Sequence, residues 1–207
     1  MLNIIINQLD EDATEGALFA STGGEDLFAG TTATIAAISD SELTILNCGD
    51  SRTLIVGDPV DEKTWVQFVT RDHKPSDTLE QERLLANPDY SDPQCSMGKY
   101  WIKIGDYRYT LSRSLEGSFV TSKGIVSTPD VYKIDLKDVV KNTKSNCILI
   151  QASDGLFDVL DNEEVAKDAV NFRKAGLDAK ECASQLARLA LKKGTSDNVS
   201  VIAVYLD

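Results

Sequence analysis

Thr32-Ala33-Thr34-Ile35-Ala36-Ala37-Ile38, then Ser39-Asp40-Ser41-Glu42, then Leu43-Thr44-Ile45-Leu46-Asn47-Cys48, is the stretch that decides the fold class. The first run is small and β-branched, the composition of a buried strand. The middle run is turn chemistry, because Ser and Asp side chains bond the local backbone in place of a ladder. The third run is again aliphatic and β-branched. Two such runs around a short polar turn predict an antiparallel hairpin.

Downstream, Gly49-Asp50 breaks the second strand, Thr53-Leu54-Ile55-Val56 forms another, and Trp65-Val66-Gln67-Phe68-Val69 alternates as a further one. Pro75-Ser76, with Leu79, Glu82, Arg83, Leu84 and Leu85, reads as a capped helix. Residues 87–100 hold Pro88, Pro93 and Gly98 and read as a loop; residues 107–115 read as helical. Cys147-Ile148-Leu149-Ile150 is a strand that stops at Ser153-Asp154-Gly155. Helices are predicted over 163–172 and 178–193. The second is amphipathic, with Cys182, Leu186 and Ala190 on one face, and Gly194 stops it. Residues 199–206 are apolar enough for a central strand. Upstream, residues 1–28 stay ambiguous. Strands in runs, with helices between the later ones, predict an α+β chain. No repeat, linker or low-complexity tract divides it, so 1–207 reads as a single domain.

The 207 residues are 42% hydrophobic, enough for a proper core, and carry a formal net charge of -12. An acidic surface repels phosphate backbones and anionic lipid, which argues against nucleic acid and membrane partners. Cys48, Cys95, Cys147 and Cys182 are widely spaced and form no CxxC pair, which argues against a zinc site or disulfide framework. The start of the chain has no basic region and is too short for a signal h-region or a membrane span. The expected setting is intracellular, cytoplasmic or nuclear. Oligomeric state is not legible.

Two acidic clusters border apolar strands. Ser153-Asp154-Gly155-Leu156-Phe157-Asp158 follows one, and Ser196-Asp197-Asn198 precedes another. Alone, each has an ordinary and commoner reading, an Asp-Gly turn and an Asx turn. Together, on strands that could be neighbours, they offer two hard anionic ligands of the kind Mg²⁺ or Mn²⁺ prefers. Asp154, Asp158 and Asp161 do not follow EF-hand spacing. Gly30-Thr31-Thr32 is not a Walker A loop, since no Lys follows. His73, the only histidine, has no GxSxG partner, which argues against triad chemistry. In Gly49-Asp50-Ser51-Arg52, Arg52 could pair with Asp50 or a substrate phosphate, and the structural ion pair is the favoured reading.

Taken in order, these motifs resemble the metal-dependent protein phosphatase family (PPM, protein phosphatase 2C). Gly30-Thr31-Thr32-Ala33 is similar to its G-[ST]-T-A strand start, and Gly49-Asp50-Ser51-Arg52 to its GDSR turn. Asp72-His73-Lys74-Pro75 is similar to its DHKP segment, with Glu82-Arg83 in the following helix. Leu111-Ser112-Arg113-Ser114-Leu115 resembles LSRSLGD, and Thr128-Pro129-Asp130-Val131 resembles PDV. Ala152-Ser153-Asp154-Gly155-Leu156-Phe157-Asp158 resembles ASDGLWD, and Thr195-Ser196-Asp197-Asn198-Val199-Ser200 resembles SDNVS. Each is weak alone; their number and order carry the resemblance.

The resemblance implies two stacked, mainly antiparallel β-sheets flanked by helices. It implies hydrolysis of phosphoserine and phosphothreonine in a phosphoprotein substrate, by water held between two Mg²⁺ or Mn²⁺ ions. Asp154 and Asp197 would be metal ligands and Asp158 an outer-shell partner holding metal-bound water. Gly49, Asp50, Ser51 and Arg52 would be a structural motif.

The family's early motifs are a phosphate-binding arginine, a Glu-Asp pair and DGHGG. They have no counterpart in the sequence, which implies a domain missing its N-terminal strands and part of its metal site. His73 belongs to the DHKP segment and does not take the family's general-acid role. After Leu115 the chain reads Glu116-Gly117-Ser118 in place of Gly-Asp, leaving Glu116 as a weak substitute metal contact. Two readings follow: a Ser/Thr phosphatase domain, or a pseudophosphatase that keeps the fold and binds a partner.

Overall fold

The computed structural model describes residues 30–60, 64–115, 118–141 and 145–206. The strands in chain order are β1 (Ala33–Ile38), β2 (Glu42–Cys48), β3 (Arg52–Val56), β4 (Val66–Val69), β5 (Pro93–Ser96), β6 (Lys99–Ile104), β7 (Tyr107–Tyr109), β8 (Asp130–Asp135), β9 (Ile148–Ala152) and β10 (Val201–Tyr205). The helices are α1 (Thr78–Leu85), α2 (Ser118–Thr121), α3 (Leu136–Lys141), α4 (Asp154–Phe157), α5 (Asn162–Lys174) and α6 (Ala179–Lys192). Among the described residues these strands form three sheets, with orders β1-β2-β8, β10-β9-β3-β4 and β5-β6-β7. The fold is α+β with antiparallel sheets, as the sequence predicts.

The described chain packs as two compact units. One holds residues 30–33, Leu46–Asp50 and Asp72–Asp130; the other holds Thr34–Ile45, Ser51–Arg71 and residues 131–206.

In the second unit, β9 is central and its side chains alternate. Ile148, Ile150 and Ala152 join Leu54 and Val56 against Val165, Ala169 and Val170 of α5 and Cys182, Leu186 and Ala190 of α6. Leu149 and Ile55 point the other way, to Leu43, Ile45, Phe68, Tyr132 and Ile134. A helix layer, a sheet and a second sheet are thus stacked through two apolar cores. Each fully buried Leu or Ile in them contributes about 1.5–3 kcal/mol. Helices α5 and α6 start with the same device. The Asp161 and Asp178 carboxylates accept from the N–H of Glu164 and Glu181, both at 2.8 Å, and those glutamates accept the cap N–H in return. Such a reciprocal cap satisfies two orphan donors and contributes about 1 kcal/mol.

In the first unit, α1 is capped by Asp77, whose Oδ1 accepts from Leu79 and Glu80 N–H. Leu84 of α1 packs with Ile102, Ile104, Val120 and Ile125.

Two element predictions change. The loop expected over 87–100 contains β5 and the start of β6. Met97 and Gly98 both have positive φ, 52° and 76°, which is the two-residue hairpin turn, and Pro93 sits where a strand tolerates it, at the first position. The helix expected over 107–115 is β7 followed by irregular chain, because Gly105 at φ 58° turns the backbone into a second hairpin. Among the described residues the last strand, β10, pairs with β9, and Ile202 is exposed. No described helix is long and apolar enough to cross a membrane.

Candidate active site

Ala152 of β9 stands opposite Val201 of β10 in an antiparallel pair. The residues after β9 and before β10 therefore emerge at one end of the sheet. Asp154 and Asp197 are those residues. Three hydrogen bonds stitch their segments together. Ser153 N–H donates to Ser200 O at 3.1 Å, Ser200 N–H donates to Ser153 Oγ at 3.0 Å, and Ser153 Oγ donates to Asn198 O at 3.2 Å. The approach is tight enough that a Cβ on Gly155 would fall 2.4 Å from Asn198 O and 3.4 Å from Asp197 Cβ.

Asp154 opens α4 and is half-buried, while Asp197 is exposed, with Oδ1 accepting from Asn198 N–H at 2.7 Å. Asp158 caps the other end of α4; its N–H donates to Asp154 O at 2.8 Å and its side chain faces solvent. Arg52 begins β3 opposite Ala152, at the same sheet end. Its Nη1 donates to Asn162 Oδ1 at 2.6 Å, and its guanidinium lies 4.4 Å from the centroid of the Phe157 ring. Glu116 lies outside the described residues.

The other motifs meet in the first unit. Gly49 has φ 110°, and a Cβ there would fall 2.3 Å from Thr32 Cγ2. Its N–H donates to His73 Nδ1 at 3.0 Å, and His73 N–H donates to Gly49 O at 2.9 Å. Thr31 and Leu115 exchange backbone bonds of 3.1 and 2.8 Å. Asp50 is buried beside this turn in sequence. Because His73 Nδ1 accepts, the ring is the neutral tautomer with its proton on Nε2. That nitrogen is fully buried, 3.3 Å from Asp130 Oδ2 but outside hydrogen-bond alignment. Burial first, then the adjacent Arg113 charge, pushes the His73 pKa below its ordinary value, against the pull of Asp130 and Glu80.

Glu80, fully hidden from solvent, is the hub that sequence reasoning missed. Oε1 accepts from Arg113 Nε and Nη2, and Oε2 accepts from Arg83 Nε and Nη2 and from Ser112 Oγ. Arg113 Nη1 continues to Thr128 O at 2.9 Å and Asp130 Oδ1 at 3.0 Å. Burial alone would raise the Glu80 pKa; the bonds and charge of Arg113, with Ser112 and Arg83, overcome it and hold the group at about 2. Glu82, the residue that the resemblance pairs with Arg83, is exposed. The available signal was spacing: Glu80 shares a helix face with Leu84 and lies three residues before Arg83.

Asp154 and Asp197 offer oxygen donors of the right hardness for a divalent cation. Donor number falls short: among the described residues no three Asp, Glu, His or Cys side chains group to hold a metal. These residues supply two ligands of a centre and do not complete one, so no catalytic step is derived through a metal.

The sequence profile of the family described as Protein phosphatase 2C matches residues 2–199. Human Protein phosphatase 1A is 29% identical over 177 residues, covering 84% of this chain and 43% of that protein. A rice (Oryza sativa subsp. japonica) protein named Probable protein phosphatase 2C 8 is 30% identical over 206 residues, covering 92% of this chain and 45% of that one. The chain thus spans less than half the length of these relatives. Among solved structures, the serine-threonine phosphatase 2C from Toxoplasma gondii superposes with a TM-score of 0.77 at 20% identity, over 99% of this chain and 66% of that one. A C. elegans sex determining protein superposes with a TM-score of 0.73 at 22% identity, over 98% and 45%. At those identities the likeness is one of fold. The profile match, covering nearly the whole chain, settles the family: the chain belongs to the protein phosphatase 2C family.

Proposed function

We propose that this chain is part of a protein serine/threonine phosphatase domain that hydrolyses phosphoserine and phosphothreonine esters of phosphoproteins. The supporting observation is the stitched meeting of the Asp154 and Asp197 segments at one sheet end. A single profile running through both compact units supports reading the chain as one domain.

In this reading Asp154 and Asp197 would be two of the ligands of a Mg²⁺ or Mn²⁺ ion, and Asp158 would be an outer-shell partner. Such an ion, when bound, would neutralise phosphate charge and acidify a water for ester hydrolysis. The remaining ligands come from outside the described residues. The Glu80 and His73 network holds the backbone of the first unit and takes no part in bond making.

The test is phosphate release from a phosphothreonine peptide by the protein that carries this chain at its natural length. Release with millimolar Mn²⁺ or Mg²⁺, abolished by EDTA and by Asp154→Asn or Asp197→Asn, is expected. Release that is indifferent to metal, or untouched by both substitutions, contradicts the reading.

A further inference from the structure

We propose that the outer face of the β5–β6–β7 sheet is a docking surface for an acidic peptide segment. The inference does not rest on the reaction proposed above.

Strand register sorts the side chains of this sheet onto two faces. Ile102 and Ile104 of β6 are buried with Leu84, Val120 and Ile125, and Tyr109, opposite Ile102, packs with them. The alternate positions point away from that core. They are Gln94 and Ser96 of β5, Lys99, Trp101 and Lys103 of β6, and Arg108 of β7. The two lysines and the arginine are exposed, Trp101 is half-buried, and none of these positions holds an acid. The nearest acids in sequence are Asp92, before β5, and Asp106, in the turn between β6 and β7. Among the described residues Lys99, Lys103 and Arg108 enter no ion pair.

Folding alone does not favour this arrangement. Lys103 and Arg108 are directly opposite in the register, where like charges are destabilising. They stand so in a chain with 33 acidic residues against 21 basic ones. The Arg108 guanidinium lies over the Trp101 ring, 5.0 Å from its centroid. A stacked guanidinium keeps its planar edge of donors for bidentate contact with a carboxylate. Lys99 and Lys103 flank Trp101 along β6, so the charged stripe is about 13 Å long, matching carboxylates at alternate positions of an extended segment of about five residues.

Charge selects the occupant. Surface charges act over about 8 Å at physiological salt. A short acidic segment stays within that reach of the three cations. A nucleic acid or an anionic membrane extends past it and meets the rest of a chain of net charge -12.

The test is fluorescence anisotropy of a labelled, unphosphorylated peptide with glutamate at alternate positions, added to the full chain, with circular dichroism as the check on folding. Binding that weakens with salt is expected, and the same peptide with glutamine in place of glutamate should not bind. Arg108→Gln weakens binding roughly tenfold, the loss of a charge-assisted bidentate contact. Lys103→Gln also weakens binding, yet raises the melting temperature, because it relieves the repulsion across the strands. A purely structural lysine would show the opposite change in melting temperature and no change in binding. Lys192→Gln, which removes the same charge from α6, leaves binding unchanged. If Arg108→Gln fails to fold, Lys103→Gln carries the test. Equal binding of the glutamate and glutamine peptides, or an equal loss in Lys192→Gln, overturns the proposal. So does tighter binding of single-stranded RNA or phosphatidylserine vesicles through Lys103 and Arg108. A dimer in sedimentation that Lys103→Glu dissociates would make the occupant a second copy of the chain and overturn it too.

Discussion

Arg113 grips one oxygen of the fully buried Glu80 carboxylate with two nitrogens, Nε at 3.0 Å and Nη2 at 2.5 Å. Arg83 and Ser112 hold the other oxygen. The Glu80 carboxylate thereby joins α1 to Ser112 and Arg113, and Arg113 carries the link on to Thr128 and Asp130.

Removing that carboxylate strands two guanidinium groups in a site built to neutralise them. Glu80→Ala is expected to lower unfolding free energy by roughly 3–5 kcal/mol, the range for breaking one side of a buried pair. Glu82→Ala, two residues away and exposed, is expected to change it by less than about 0.5 kcal/mol. Urea denaturation of both variants checks the contrast; equal effects would contradict the hub role of Glu80.

Acid should unfold the protein in two windows. The folded His73 pKa lies below its unfolded value of about 6.5, so its contribution is fully present above pH 6.5 and is lost as pH falls below that. Protonation would also cost the Gly49 N–H its acceptor, Nδ1. The folded Glu80 pKa is about 2 against 4.5, so its contribution is present above pH 4.5 and is lost as pH falls from there toward 2. Melting temperature against pH should show both declines. Glu80→Gln should flatten the lower window and leave the upper one; a wild-type profile flat from pH 7 to 5 would contradict the buried neutral histidine.

Gly49 and Gly98 both have positive φ but differ in surroundings. Gly98→Ala meets open space and should cost only about 1 kcal/mol of backbone strain. Gly49→Ala adds a collision with the β-branched Thr32 and removes room for the turn that His73 binds. A loss of roughly 2–4 kcal/mol is expected. Thermal unfolding of the two variants measures the difference directly; similar melting temperatures would show the collision to be relieved elsewhere.

Much of this was legible in the residues. The β1–β2 hairpin, β3, β9 and both long helices follow from period and caps, because burial of a face imposes period and Asp at the cap imposes a start. The β5–β6–β7 meander was hidden because its turns depend on positive φ at Met97, Gly98 and Gly105, which composition does not announce. The two aspartates could be named as candidates; their proximity depends on the β9–β10 register, set by long-range pairing. Glu80 escaped notice because a buried carboxylate looks, in one dimension, like any charge on a helix surface.

The central claim is that Asp154 and Asp197 act as one cation-binding pair. A double-mutant cycle on Mn²⁺ affinity, read by calorimetry on wild type, Asp154→Ala, Asp197→Ala and the double variant, tests it most directly. Each single substitution should remove most of the affinity, and the double should lose little more than either, because one carboxylate is of small use without the other. Losses that simply add, or full affinity in either single variant, would contradict the account.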